Sequence, residues 1–248
     1  MKFFFQALVL CLSILTLQGC GENKPKTKIL ALGTSADNPP YEFFSVEKNE
    51  IVGFDIDLAR LIAQELEMSL EVKDMDFNAL IPAVSSGRID MAMAALDATP
   101  ERLLSVGFSE VYYETKAGLV VKNASLKTIE DFTKGKKIGA QLGASHEMFL
   151  KDLLKKGASF TLETRNKVGD LIQELKSGRL DGVFIEGLPA QEFASRDKEL
   201  TFYPVPSSKV SFSIAFKKES SLINRINKIL EELKKRGEIE KLEKKWLQ

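Results

Sequence analysis

The chain has 248 residues, 44% of them apolar, and its 35 basic residues balance its 35 acidic ones. That length and apolar content can build a core without covalent staples, and the charge balance supplies no bulk field for nucleic acid or an anionic membrane surface. The only cysteines, Cys11 and Cys20, fall in the opening segment, so the folded part has no disulfide framework, cysteine metal site or cysteine nucleophile, and the expected partner is a small molecule.

The opening segment, MKFFFQALVLCLSILTLQGC, has one Lys, an apolar run from Phe3 to Leu17 and a small residue before Cys20. This is the layout of a secretory signal, and residues 1–19 are set aside as a signal peptide. LQGC is similar to the lipobox of bacterial lipoproteins, which makes Cys20 the expected lipidation site, anchoring the chain to a membrane. An uncleaved anchor helix and a cleaved soluble form are the alternatives, and each leaves the folded part outside the cytoplasm. Residues 20–27, polar with Pro25 among charges, read as a tether.

Lys28 to Gly33 is a strand candidate that ends at the turn-rich TSADNPPYEFF. In IVGFDIDLARLIAQELEM, Gly53 marks a turn, Asp55 can cap, and Ile56, Ala59, Ile62, Ala63 and Leu66 fall on one helical face. Ser69 to Asp74 is a second strand and Asn78 to Ser86 a second helix, closed by Gly87. Met91 to Leu96 has the length of a buried strand, and Thr99 and Pro100 then write a helix start. EVYYETKAGLVVKN has the β-branched and aromatic content of a crossing segment. A linker helix near Leu126 to Phe132, a strand Lys137 to Gln141 and a helix starting near Ala144 and Ser145 follow. NALIPAVSSGRIDMAMAALD, from Asn78, is then repeated in its order of parts by GDLIQELKSGRLDGVFIEGL, from Gly169. Two copies are too few for a solenoid and suggest two similar lobes. Val210, Phe212, Ile214 and Phe216 alternate as a strand returning to the first lobe, and the tail makes two helices with Gly237 between them and Trp246 as an anchor. The β-α alternation predicts a mostly parallel sheet covered by helices in each lobe. The division is residues 28–114 for lobe one, 115–205 for lobe two and 206–248 for the return to lobe one, with two hinge crossings and a cleft between the lobes.

Arg102 sits in the first turn of the helix that Thr99 opens, beyond the carboxyl end of a strand, where ligands of open sheets collect. Its guanidinium fork suits a carboxylate, and Asp97 adds a negative group a few residues away. One plus and one minus fit the two charged groups of a free amino acid; the same spacing also fits an ordinary surface ion pair. His146, the single histidine, falls at a helix start and reads as solvated.

LGTSADNPPYEF, VGFDIDLARLIAQEL, FNALIPAVSSGRIDMAMAALDATPER, GKKIGAQLGAS, SGRLDGVFIE and KRGEIEKLEKKWL, in this order from about Lys28 to Gln248, resemble the extracellular solute-binding proteins of family three. These are the amino-acid receptors of ABC importers. The resemblance implies a two-lobed α/β fold of the type II periplasmic binding proteins. It implies that Arg102, with backbone N–H groups at Ala95 and Ser145, holds a ligand α-carboxylate, a helix N-terminus being suited to an anion. It implies that Glu186 holds the α-ammonium, helped by the Ala94 backbone and the Asp97 side chain. The side-chain pocket would draw on Ser35, Asn38, Phe77 and Gln141. Asp37, Glu42, Asp74 and Asp76 read as loop acids, solvated but adding negative potential at the mouth.

The MAALDATPER wording resembles arginine receptors, so arginine or another cationic amino acid is the expected ligand, with glutamine or another polar amino acid as the alternative. The expected molecule is a periplasmic, lipid-anchored monomer that serves an importer permease, with no cofactor, metal or nucleic acid. A dehydratase of a cyclic substrate on the same fold, using Glu186 as general acid, is the enzyme alternative. No Gly-rich phosphate loop or metal-ligand spacing supports catalysis.

Overall fold

The computed structural model describes residues 27–122, 126, 131 and 134–248. The signal peptide, Cys20 and nearly all of the tether lie outside these residues, as does most of the linker helix expected near Leu126 to Phe132. Two five-stranded sheets form the cores of two lobes.

In lobe one, β1 (Ile29–Thr34), β2 (Asp37–Asn38), β3 (Glu42–Ser45) and β4 (Glu50–Val52) lead into α1 (Phe54–Glu65), β5 (Ser69–Asp74) and α2 (Phe77–Ser86). β6 (Met91–Ala92), α3 (Pro100–Leu103) and β7 (Val106–Phe108) follow. β1 pairs in parallel with β5 and β6, while β2, β3 and β4 make a small antiparallel sheet of their own. β8 (Tyr113–Lys122) then crosses to lobe two, where β9 (Lys134–Gln141), α4 (Ser145–Lys155), β10 (Ser159–Arg165), α5 (Val168–Lys176), β11 (Gly182–Glu186) and α6 (Gly187–Arg196) follow. β12 (Leu200–Phe212) runs back antiparallel to β8, from Leu200 opposite Lys122 to Phe212 opposite Tyr113, with a register shift between Val205 and Lys209. β13 (Ala215–Lys217) completes the lobe-one sheet, and α7 (Leu222–Lys235) and α8 (Glu238–Trp246) close the chain. β8 and β12 are thus the two crossings.

The repeated SGR motif has a structural reason in each lobe. Gly87 and Gly178 both turn the chain left-handed, at φ 77° and 74°, as glycine does without strain. Ile89 and Leu180 then dive under the sheet, where a Cβ on Gly33 or Gly139 would come within 2.3 Å of Ile89 Cδ1 or 2.7 Å of Leu180 Cδ1. The Asp that ends each motif pins the neighbouring strand. Asp90 Oδ2 accepts the Ala31 N–H at 2.8 Å, and Asp181 Oδ2 accepts the Lys137 N–H at 2.8 Å.

Four sequence expectations are corrected. Each five-stranded sheet has two parallel and two antiparallel pairings rather than being mostly parallel, because the crossing strands β8 and β12 and the returning β13 run against their neighbours. The apolar run Met91 to Leu96 is buried throughout, but only Met91–Ala92 is strand, because Ala95 turns left-handed at φ 50°. Gly53, at φ 135°, takes the N-cap of α1 rather than Asp55; a Cβ there would meet the Tyr41 carbonyl oxygen at 2.2 Å, so Gly53 lets Tyr41 lie against the helix start. Asp55 instead points into the core. The alternating run from Val210 to Phe216 is split between β12 and β13, although all four of its alternating side chains stay in the lobe-one core. Trp246 does anchor the tail: its Nε1 donates to Asp57 Oδ2 at 2.9 Å.

Candidate functional site

The site is built where Thr99 and Pro100 open α3. Thr99 Oγ1 accepts the Arg102 N–H at 3.2 Å, and Pro100 occupies the first helical position, where its missing N–H costs nothing. Arg102 therefore points inward and is only 4% exposed, which excludes the surface ion pair. Its Nη1 donates to the Asp97 carbonyl at 2.8 Å and to Asp97 Oδ1 at 3.0 Å, and its Nη2 donates to the Gly143 carbonyl of lobe two at 2.9 Å. The Phe77 ring lies 5.4 Å from the guanidinium carbon, a cation–π distance. Burial lowers the Arg102 pKa, while the charges of Asp97 and Glu186 raise it. A cavity of about 200 Å³ lies along this seam, lined by Phe77, Ile81, Arg102 and Ser105 of lobe one with Gly143 and Met148 of lobe two.

Glu186 ends β11, forms the N-cap position of α6 and is buried. Its Oε1 lies 3.5 Å from His146 Nδ1. Burial raises the Glu186 pKa, and His146 opposes the rise. His146 is itself 4% exposed, not solvated, because the first turn of α4 presses it edge-on to Phe184 at 5.3 Å between ring centres. Its Nε2 is buried without a hydrogen-bond partner.

A second centre was missed, one of its acids read as a loop acid and the other as a helix cap. Glu42 is 1% exposed and Asp55 is fully buried. Asp55 Oδ1 accepts the Tyr112 O–H at 2.8 Å and Oδ2 accepts the Ala95 N–H at 2.9 Å. Burial, with smaller help from Glu186, lifts the Asp55 carboxyl to about 6. Burial and then the Asp55 charge push Glu42 well above the usual carboxylate range, and the Asn38 side chain pulls it back. Glu42 Oε2 and Asn38 Oδ1 are buried acceptors without a donor. Such atoms are costly unless a partner satisfies them. One signal was available for Asp55: it lies three, four and seven positions before Leu58, Ala59 and Ile62, on the buried face of α1.

The expected residues divide as follows. Arg102 and Glu186 are buried and charged, and Asn38 carries a buried oxygen without a donor. The Ala95 N–H is not available to a ligand, since its left-handed turn aims it at Asp55. The Asp97 carboxylate is held on Arg102. Phe77 carries the Arg102 guanidinium. Ser35 Oγ donates to Asp37 Oδ1 at 2.9 Å, and Gln141 Nε2 donates to the Asn166 carbonyl at 3.0 Å. Ala94 is buried and Ser145 is the first residue of α4, whose N-cap position, Ala144, offers no side-chain cap. Among the described residues no cluster of His, Cys, Asp and Glu could hold a metal ion, and no helix is long and apolar enough to cross a membrane.

Over 254 aligned residues the chain is 38% identical to the arginine-binding extracellular protein ArtP of Bacillus subtilis (strain 168), covering 99% of this chain and 98% of that one. It is similar to the solved structure of an ancestral arginine-binding protein bound to arginine, with a TM-score of 0.84 at 39% identity over 89% of this chain and 98% of the other. A solved ancestral arginine-binding protein bound to glutamine gives a TM-score of 0.82 at 39% identity over 88% and 97% of the two chains. The family model of the bacterial extracellular solute-binding proteins, family 3, matches residues 30–248, across both lobes, and the chain belongs to that family.

Proposed function

We propose that the chain is an extracytoplasmic receptor that takes up arginine between its lobes and delivers it, closed, to an ABC importer. What supports this most is a buried cationic end and a buried acidic end, both acted on by the charge of Glu186. One end carries the buried Arg102 cation; the other carries the buried Glu42 and Asp55 carboxyls with the unsatisfied Glu42 Oε2 and Asn38 Oδ1. The Glu186 charge acts on Arg102 as well as on Glu42 and Asp55.

A zwitterion with a cationic tail matches that order. Its α-carboxylate meets Arg102 and the Ser145 N–H at the start of α4, where the helix end favours an anion. Its α-ammonium meets Glu186 and the Ala94 backbone. Its guanidinium supplies N–H donors to Glu42 and Asn38 and positive charge beside Asp55. Each charge-assisted hydrogen bond is worth roughly 1.5 to 3 kcal/mol, so several made together exceed the cost of immobilising a small flexible ligand. The groups come from both lobes, so binding shifts the population to the closed form, which the permease reads as occupancy.

The receptor acts as a monomer, since one chain supplies both walls of the seam, and it is held to the membrane by lipid at Cys20, a reading supported by the LQGC sequence. A thermal-shift screen of the twenty amino acids with ornithine and citrulline tests the ligand. Arginine stabilises most, by about 2.7 kcal/mol at a hundredfold excess over its dissociation constant. A larger shift with glutamine would replace arginine as the ligand, and no shift with any of them would remove the receptor reading.

A further inference from the structure

Helix α5 starts without a cap from its own lobe. Its N-cap position is Lys167, whose side chain offers only donors, and no side-chain cap bond is made there. The acceptor comes from the opposite lobe: Asp37 Oδ2 receives the Val168 N–H at 2.8 Å. We propose that Asp37 is a positioning residue that latches the two lobes by capping α5 across the seam, so that closing completes a helix end which opening leaves bare.

The surroundings aim both partners. Ser35 Oγ fixes the other oxygen of Asp37 at 2.9 Å, and Gln141 Nε2 holds the Asn166 carbonyl just before α5 at 3.0 Å while lying 3.5 Å from Asp37 Oδ2. Three further contacts reach the start of α5 from the corner between β5 and α2: Asn166 Nδ2 donates to Asp76 Oδ2 at 3.0 Å, and Lys167 Nζ lies 3.9 Å from both Asp74 and Asp76. Three aspartates of lobe one thus face the positive end of a lobe-two helix. The Val168 N–H needs only an acceptor oxygen at position 37, 2.8 Å away. An amide oxygen at position 37 therefore serves as well as a carboxylate. The latch acts on apparent affinity through the population of the closed form.

The latch rests on the arginine reading for its ligand, and the test keeps the two apart. Arginine is titrated calorimetrically into the wild type, Asp37→Ala, Asp37→Asn, Val168→Pro and the double variant Asp37→Ala/Val168→Pro, and exchange of the Val168 amide is followed in the variants that retain it. Proline is tolerated at the first helical position, and Lys167 already has the extended backbone, φ −115° and ψ 136°, that a residue before proline needs. Asp37→Ala binds about tenfold more weakly, as expected from loss of a helix cap, and Asp37→Asn stays within about threefold of the wild type. Val168→Pro weakens binding about as much as Asp37→Ala, and the double variant is no weaker than Val168→Pro alone. The Val168 amide exchanges faster in Asp37→Ala and is restored in Asp37→Asn. Wild-type affinity in Asp37→Ala, equal losses in the Ala and Asn variants, or additive losses in the double variant would overturn the latch. Absence of arginine binding in the wild type removes the ligand reading instead, and Val168 exchange then decides the latch by itself: unchanged exchange in Asp37→Ala overturns it.

Discussion

The Arg102 guanidinium of lobe one donates to the Gly143 carbonyl of lobe two at 2.9 Å. The side chain expected to hold a ligand carboxylate is thus also a bridge across the seam, and Gly143 is held in place by its own N–H to Glu147 Oε2 at 2.7 Å. Arg102→Ala removes both functions. Arginine affinity by calorimetry falls by about a hundredfold or more, the equivalent of losing at least two charge-assisted hydrogen bonds. The circular dichroism spectrum of the variant stays that of the wild type.

Glu42→Gln separates stability from binding. Replacing a buried carboxyl that burial holds well above its usual pKa relieves a desolvation cost, so the ligand-free variant melts higher than the wild type. The same change removes the charge proposed to face the guanidinium. Arginine affinity falls by about tenfold, while any binding of glutamine is retained. A melting scan with two titrations checks both directions.

The Asp55 carboxyl is held at about 6 against an ordinary 3.8, so the folded chain keeps a proton that the unfolded chain has already released. The stability this group contributes is greatest at low pH and is lost as pH rises between about 4 and about 6. The difference in melting temperature between wild type and Asp55→Asn, both ligand-free, therefore turns against the wild type across that window. Arginine binding runs oppositely: it strengthens from about pH 5 to about pH 7, as Asp55, held at about 6, gives up its proton beside the cationic ligand.

Asp90→Ala breaks the pin on β1 without touching the seam. The Ala31 N–H loses its acceptor at 2.8 Å, and the chain loses about 1 to 3 kcal/mol in a urea titration, the usual cost of stranding a buried donor. Arginine affinity is unchanged. Asp181→Ala breaks the corresponding bond in lobe two, but there the Lys137 N–H is exposed and water replaces the acceptor, so the loss is smaller.

Local signals were legible where short-range chemistry decides the backbone. Thr99 and Pro100 wrote the helix start that aims Arg102, Gly87 and Gly178 wrote helix ends, and the repeated Ser-Gly-Arg motif revealed two related lobes. The acids were illegible for the converse reason. Glu42 lies in a turn-rich segment and looks solvated until the packing of Tyr41 against the start of α1 buries it. His146 looks like any helix-start residue until Phe184, on a distant strand, covers it. The turn at Ala95 is set by Asp55, forty positions earlier, and no local propensity encodes such a bond. Burial of a polar group is decided by what the rest of the chain lays over it.

The central claim is that one seam holds a carboxylate, an ammonium and a cationic side chain at once. Calorimetric titration of the wild-type chain with arginine, citrulline and agmatine tests it most directly, because citrulline lacks the cationic tail and agmatine lacks the carboxylate. Arginine binds at least about a hundredfold tighter than either analogue, each of which forfeits two or more charge-assisted contacts. Citrulline or agmatine binding as tightly as arginine would contradict the account.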